Sequence, residues 1–200
     1  MAHPAPTEPR ADSRITVERY FALVDEGALH PDDRVELLEG VVVSMSPQNA
    51  PHASGVQFAM EALQAAVGRR AVVRAQMPLM LGRYSCPEPD VAVVAGQRED
   101  YLVHHPTAAY LVVEVADSSL LQDRLTKSRI YAAAGIPDYW IVNLPAGRVE
   151  VFRQPDVRAA RYRETTVRDP NARLVLTGLD GVQVAAGDLL LPAPPPAANG

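Results

Sequence analysis

Three short apolar runs constrain the fold of this chain more than any other feature. They are Val91 to Ala95, Leu111 to Val115 and Tyr139 to Val142, rich in β-branched or aromatic residues and bounded by Pro, Gly, Asp or Ser. Runs of this length and composition are typical of buried strands. A helix is predicted between the last two, from about Ser119 to Ala134. The segment therefore predicts strands and a helix that share one core.

A single carboxylate interrupts the second apolar run. Glu114 is the one polar residue in LVVEVA, which is continuous enough to be covered on both faces of a sheet. A buried carboxylate is costly unless it has a cation, hydrogen-bond donors or a proton. Asp90 opens the preceding strand, so antiparallel pairing of the two strands would bring both carboxylates to one edge of the sheet. That arrangement is typical of a metal site.

The third charged residue, Lys127, is expected to face the same edge. Asp123 lies one turn before it, and at helical spacing Lys127 shares one stripe with Leu120, Ile130, Tyr131 and Ala134. The chain has 19 basic residues, and Lys127 is the single lysine among them. An ammonium group is chemically distinct from a guanidinium fork, which favours a specific role here. The structural alternative, a buried ion-pair cluster with no chemistry, stays open.

The residues around these charges resemble a known family. PEPDVAVV, then VVEVADSSLLQDRLTKSRIYAAAGIPDYWIV, and earlier VELLEGVVVSMSPQNAPH, are similar to the Uma2 family, which is assigned to the PD-(D/E)XK restriction-endonuclease-like superfamily. The resemblance covers roughly Ile15 to Leu190. The superfamily pattern would place lysine two residues after the strand glutamate, where this chain has Ala116. In Uma2-like sequences the lysine stands on the following helix, at the position of Lys127.

The resemblance implies an α/β fold with a restriction-endonuclease-like core, in which helices flank a mixed central sheet. An N-terminal helix and hairpin would precede this core, and a C-terminal β appendage would follow it. The implied activity is endonucleolytic hydrolysis of phosphodiester bonds with Mg²⁺, for which Mn²⁺ can substitute. Asp90, Glu114 and the backbone carbonyl of Val115 would hold the metal. Lys127 would stabilise charge or orient the attacking water.

Three further residues are candidates for the same site. Glu36 lies on the first predicted strand of the hairpin, and restriction-endonuclease-like folds often recruit an N-terminal glutamate to the catalytic site; a solvent-facing strand residue is the alternative. His52 lies just before a helix predicted from Ser54 to Val67, and Gln76 lies in the next predicted strand. Both are candidate substrate-binding residues. For His52, a capping or loop role is the alternative.

Length and composition predict one globular domain. Residues 15–191 would form it, with a disordered segment at 1–14 and a flexible Pro- and Ala-rich tail at 192–200. No apolar run approaches the length that spans a bilayer, the N-terminus lacks the apolar centre of a signal peptide, and there is one cysteine, so a cytoplasmic location is expected.

The charge balance bears on the partner. A net charge of −5 argues against a non-specific nucleic-acid coat protein but not against a nuclease, since metal-binding carboxylates lower the isoelectric point. The expected partner is nucleic acid, with DNA as the first choice. A homodimer is expected because cutting both strands of a duplex suits two-fold symmetry. The alternative function is a non-catalytic interaction or assembly module that keeps the nuclease fold.

Overall fold

A six-stranded mixed sheet forms the centre of the molecule in the computed structural model, which describes residues 13–30 and 32–192. The helices and strands in chain order are α1 (Val17–Asp25), β1 (Val35–Leu38), β2 (Val41–Ser44), α2 (Ala50–Val67), β3 (Val72–Ala75), β4 (Val91–Val94), β5 (Leu111–Ala116), α3 (Leu120–Gln122), a π-helical segment (Asp123–Lys127), α4 (Ser128–Ala133), β6 (Asp138–Asn143), β7 (Arg148–Asp156), β8 (Arg161–Arg168), β9 (Arg173–Val175) and β10 (Gln183–Ala185). Short 3-10 helices lie at Arg98–Tyr101 and Ala186–Leu189.

The strand order of the central sheet is β3-β4-β5-β6-β7-β8. β5 and β6 run parallel, joined by the helical crossover, and the other neighbouring strands are antiparallel. The three apolar runs of the sequence form β4, β5 and β6, all fully buried. The prediction of a mixed sheet flanked by helices is therefore confirmed.

Alternate residues of the central strands face opposite layers, as the period of a β-strand requires. Leu111, Val113 and Val115 pack on the layer that contains α2. Val112 and Ala116 pack on the other layer, which contains α4. Glu114 is two residues from each of them, so its side chain also lies on the α4 side of the sheet.

The helix predicted from about Ser119 to Ala134 is interrupted. Five residues, Asp123–Lys127, form a π turn, in which the amide of Ser128 donates to the carbonyl of Asp123. One detail of the prediction is wrong. Ala134 is exposed rather than part of the buried stripe. At the start of the helix, Ser119 donates its hydroxyl to Asp123 Oδ2 at 2.6 Å.

The N-terminal helix and hairpin have the predicted form. The Thr16 side chain accepts a hydrogen bond from the Arg19 amide and caps α1. Glu39 and Gly40 join β1 to β2 with φ of 51° and 87°, the left-handed pair that a tight primed hairpin turn requires. The backbone of Leu37 pairs with Cys86, which holds the hairpin against the segment that enters β4.

The C-terminal strands occupy two places. β7 and β8 extend the central sheet, and β9 pairs with β10 in a separate two-stranded sheet that packs on the α2 layer. The predicted disordered segment 1–14 and tail 192–200 lie outside the described residues, except for Ser13, Arg14 and Pro192. Within the described part of the chain, every helix is too short or too polar to cross a lipid bilayer.

Candidate active site

A cleft of about 340 Å³ opens where the hairpin, the start of β4, the end of β5 and the π turn meet. All six side chains that were predicted from the sequence line this cleft: Glu36, His52, Gln76, Asp90, Glu114 and Lys127. They come from six separate segments of the chain. The fold thus brings together every nominated side chain, although residues 36 and 127 are far apart in sequence.

Asp90 and Glu114 meet because β4 and β5 are antiparallel, with Val91 opposite Val113 in the register. The Asp90 amide lies 3.4 Å from Glu114 Oε2. In the other direction, the Val115 amide donates to Asp90 Oδ2 at 2.8 Å. Both side chains are buried, with 8% and 3% of their residue surface exposed. Two acidic side chains at this depth need cationic or hydrogen-bonding partners.

Lys127 supplies a cation to Glu114. Its Nζ lies 3.0 Å from Glu114 Oε1 and 3.5 Å from Glu36 Oε1, and 8% of its surface is exposed. Glu36 is held from its other oxygen, where Oε2 accepts a hydrogen bond from the Glu88 amide at 3.2 Å. The hairpin glutamate is therefore a buried partner of the lysine and not a solvent-facing strand residue.

The π turn explains how this helix presents polar groups to the sheet. Asp123, Lys127 and Tyr131 are spaced four apart, and all three are buried. In a regular α-helix, residues eight apart differ by about 80° around the axis. A π turn holds more residues per turn, so it reduces this drift and keeps the three side chains on one face.

The protonation states follow from burial and from an excess of carboxylates. Burial alone would lower the pKa of Lys127, but Glu114, Glu36, Asp123 and Asp90 together raise the pKa above its usual value, so the lysine stays charged. Burial raises the pKa of Glu114 well above its usual value. Lys127 opposes this rise, whereas Asp90 and Asp123 add to it. One lysine does not balance these acids, so the site favours a bound proton or a further cation.

His52 contacts Asp90 directly. Its Nε2 lies 3.2 Å from Asp90 Oδ1, and the hydrogen bond to Asp90 raises the pKa of His52 despite partial burial. A hydrogen bond to the Val115 backbone acts in the same direction. The prediction that His52 precedes the helix is wrong, because α2 begins at Ala50 and His52 lies in its first turn. Asn49 caps this helix, and its side chain accepts a hydrogen bond from the His52 amide at 2.9 Å.

Gln76 contacts the same carboxylate from the position directly after β3. Its side-chain amide donates to Asp90 Oδ1 at 3.4 Å. The prediction that it lies within a strand is wrong, since β3 ends at Ala75 and Gln76 has a φ of 51°. This left-handed conformation, uncommon outside glycine, ends the pairing of β3 at the point where Gln76 enters the cleft.

Sequence reasoning missed Glu88 as a member of the site. Glu88 lines the cleft, and burial followed by repulsion from Glu36 raises its pKa. The signal was present in the sequence, because residues two apart on an extended segment point the same way. The spacing of Glu88 and Asp90 in PEPD therefore placed both carboxylates on one side.

The electrostatic character of the cleft is acidic. Arg34 and Lys127 are its basic side chains within the residues that the structure describes, along with His52. Against them stand the carboxylates of Asp33, Glu36, Glu88, Asp90, Glu114, Asp117 and Asp123. A polyanionic ligand would be repelled here unless bound cations offset this charge.

The donor atoms at the centre of the cleft fit a small hard cation. No three His, Cys, Asp or Glu side chains among the described residues form a preformed metal cage. Mg²⁺ does not require one, since it keeps several waters and is held by one or two carboxylates. Asp90 and Glu114 Oε2 supply these. The amide of Val115 reaches Asp90, and in a strand the carbonyl of a residue points to the same side as its amide, so the third oxygen also faces this edge.

Comparisons with known proteins show the fold and the family of this chain. A solved structure from Anabaena variabilis ATCC 29413, described as a "putative nuclease belonging to DUF820", matches with a TM-score of 0.67 and 18% sequence identity, over 88% of this chain and 97% of that one. At this identity the match shows a shared fold. No curated protein matches the chain. The model of the Uma2 family, described as "Putative restriction endonuclease", matches residues 17–187, and the chain therefore belongs to the Uma2 family.

Proposed function

We propose that this protein is a metal-dependent endonuclease that hydrolyses phosphodiester bonds of nucleic acid. The observation that carries the proposal is the convergence of Asp90, Glu114 and a buried, charged Lys127 at one sheet edge, with Nζ 3.0 Å from Glu114 Oε1. Membership of a family described as "Putative restriction endonuclease" supports the same reaction class. Nucleic acid is the substrate that this class implies.

The proposed cofactor is Mg²⁺, with Mn²⁺ as a substitute. Asp90, Glu114 and the Val115 carbonyl would hold it, because they offer only oxygen donors. When bound, the cation would polarise the scissile phosphate and lower the pKa of a coordinated water. Its charge would also offset the acidic lining of the cleft, without which a phosphodiester would be repelled.

Lys127 is the proposed electrostatic residue. Because its surroundings keep it protonated, it would donate hydrogen bonds to the attacking water or to the phosphate oxygens, where negative charge builds up. It would not act as a general base. Glu36, 3.5 Å from the same ammonium, would share the lysine with Glu114 and fix its direction.

His52 and Gln76 are the proposed substrate contacts. Both line the cleft and direct donor groups at Asp90 Oδ1, next to the position of the scissile phosphate in this proposal. His52 gains positive character from its raised pKa, which suits contact with a phosphate oxygen.

The finer properties of the proposal concern substrate and assembly. DNA is the proposed substrate, a homodimer the proposed assembly, and the cytoplasm the proposed compartment. Cleavage of supercoiled DNA, linear duplex, single strands and RNA would distinguish the substrates. Sedimentation equilibrium would measure the assembly, and a monomer that cuts both strands would contradict the dimer.

Metal binding and turnover test the proposed function together. Calorimetric titration of the wild type with Mg²⁺ should show binding that is lost in Asp90→Asn and Glu114→Gln. Cleavage of a nucleic-acid panel should require the metal and stop with a chelator. A wild-type protein that binds no divalent metal and cleaves no polymer of the panel would instead favour the interaction module.

A further inference from the structure

Tyr131 makes an unusual contact with one of the two central carboxylates. Its hydroxyl donates to Glu114 Oε1 at 2.6 Å, and the tyrosine is completely buried. Lys127 Nζ reaches the same oxygen at 3.0 Å. Within residues 13–30 and 32–192, the hydrogen-bond contact of Glu114 Oε2 is the long 3.4 Å one from the Asp90 amide. The two oxygens of Glu114 are therefore not equivalent.

Resting on the proposed function, we propose that Tyr131 is a positioning residue that reserves Glu114 Oε2 for the metal. Two short donors occupy Oε1, one neutral and one charged. Oε2 keeps free lone pairs and lies on the side of Asp90. We call Tyr131 and Lys127 together the clamp. The clamp decides which oxygen of Glu114 serves as the metal ligand.

The clamp is rigid because the tyrosine ring cannot swing away. The Tyr131 ring packs against Tyr139 with centroids 4.9 Å apart, and Tyr139 in turn packs against Phe152 and Tyr162. The final torsion of a glutamate is otherwise broad, so an unclamped carboxylate at this position would sample several orientations.

Both donors of the clamp come from one stretch of helix. Lys127 ends the π turn and Tyr131 follows four residues later in α4, a spacing that stacks two side chains on one face. The same stretch therefore sets the charge and the orientation of Glu114. Partners that orient a metal ligand typically change metal affinity by about 10- to 100-fold when removed.

Tyr131→Phe tests the inference, with Tyr162→Phe as the matched control. Tyr162 is also a buried aromatic-cluster tyrosine, and its hydroxyl donates to the Ile136 carbonyl at 2.9 Å, a backbone group outside the cleft. Each substitution removes one buried hydrogen bond, and the loss of stability should be larger for Tyr131→Phe because its acceptor is a carboxylate. In calorimetry with Mg²⁺ and Mn²⁺, Tyr131→Phe should bind about 10- to 100-fold more weakly, and Tyr162→Phe should match the wild type.

The outcomes separate the inference from the proposed function. If the wild type binds metal and Tyr131→Phe binds it equally well, the positioning role is overturned and the proposed function stands. If the wild type binds none, both are overturned. Diffraction from wild-type crystals soaked in Mn²⁺ requires no variant: an ion on Glu114 Oε2 supports the inference, and an ion on Oε1 overturns it.

Discussion

Replacing Lys127 by methionine is the perturbation that most strongly probes the arrangement of charges. Methionine keeps much of the side-chain volume and removes the ammonium group. At 3.0 Å from Glu114 and 3.5 Å from Glu36, Coulomb's law gives about 5 kcal/mol for each pair at an effective dielectric constant of about 20. The substitution also removes the cost of burying the ammonium group. The net loss in the free energy of unfolding is therefore expected to be about 3 to 5 kcal/mol, as for other broken buried pairs.

Urea unfolding at pH 8 and pH 5 measures this loss. The free energy of unfolding should fall by the full amount at pH 8. At pH 5 the loss should be smaller, because Glu114, whose pKa burial already raises, takes up a proton and needs the lysine less. Arg129→Met is the matched control on the same helix: its ion pair with Glu39 is half-exposed, and such pairs contribute about 0.2 to 1 kcal/mol.

A double-mutant cycle gives the decisive comparison. When Glu114→Gln is added to Lys127→Met, the second change should cost about 1 to 3 kcal/mol less than it does alone, as expected for residues in direct contact. Effects that add within about 0.5 kcal/mol, or a Lys127→Met loss no larger than that of Arg129→Met, would refute the reasoning.

Three further predictions concern the surroundings of the site. Burial raises the pKa of Asp123 from 3.8 to about 6, so ionising Asp123 destabilises the folded state as the pH rises from 4 to 7. In urea unfolding, Asp123→Asn should have a free energy of unfolding up to about 3 kcal/mol above that of the wild type at pH 7 and little different from it at pH 4. Arg124 donates two hydrogen bonds to buried Glu150 at 2.8 and 2.5 Å, so Arg124→Met should lower the free energy of unfolding by about 1 to 3 kcal/mol, and an unchanged value would contradict the contact. A Cβ on Gly55 would lie 2.8 Å from Val115 Cγ1, so Gly55→Ala should lower the melting temperature despite the better helix propensity of alanine, through about 1 to 3 kcal/mol of overpacking.

The proximity of Asp90 and Glu114 could be predicted because a buried strand has a recognisable local sequence pattern. A β-branched run with one carboxylate can be recognised from sequence alone. The prediction that Asp90 lies beside Glu114 depended on antiparallel pairing of the two strands, which the structure has between β4 and β5. The lysine could be assigned to the same edge because helical spacing put it on the stripe that faces the sheet.

The π turn and the left-handed Gln76 could not be predicted, because neither has a local signal. The sequence DRLTK contains no glycine or proline, and the extra residue is stabilised by tertiary contacts such as that of the Tyr139 hydroxyl with the Asp123 carbonyl. Gln76 adopts its left-handed conformation where its backbone amide donates hydrogen bonds to the carbonyls of Pro89 and Asp90. Tyr131 appeared in the sequence as one more residue of an apolar stripe, and only the packed structure shows its hydroxyl on Glu114.

The initial rate of Mg²⁺-dependent cleavage, compared between the wild type, Glu114→Gln, Lys127→Met and Arg129→Met, tests the central claim most directly. The account predicts that Glu114→Gln and Lys127→Met each lose about 100-fold or more of the rate, while Arg129→Met cleaves like the wild type. Cleavage that persists at the wild-type rate in either Glu114→Gln or Lys127→Met would contradict it.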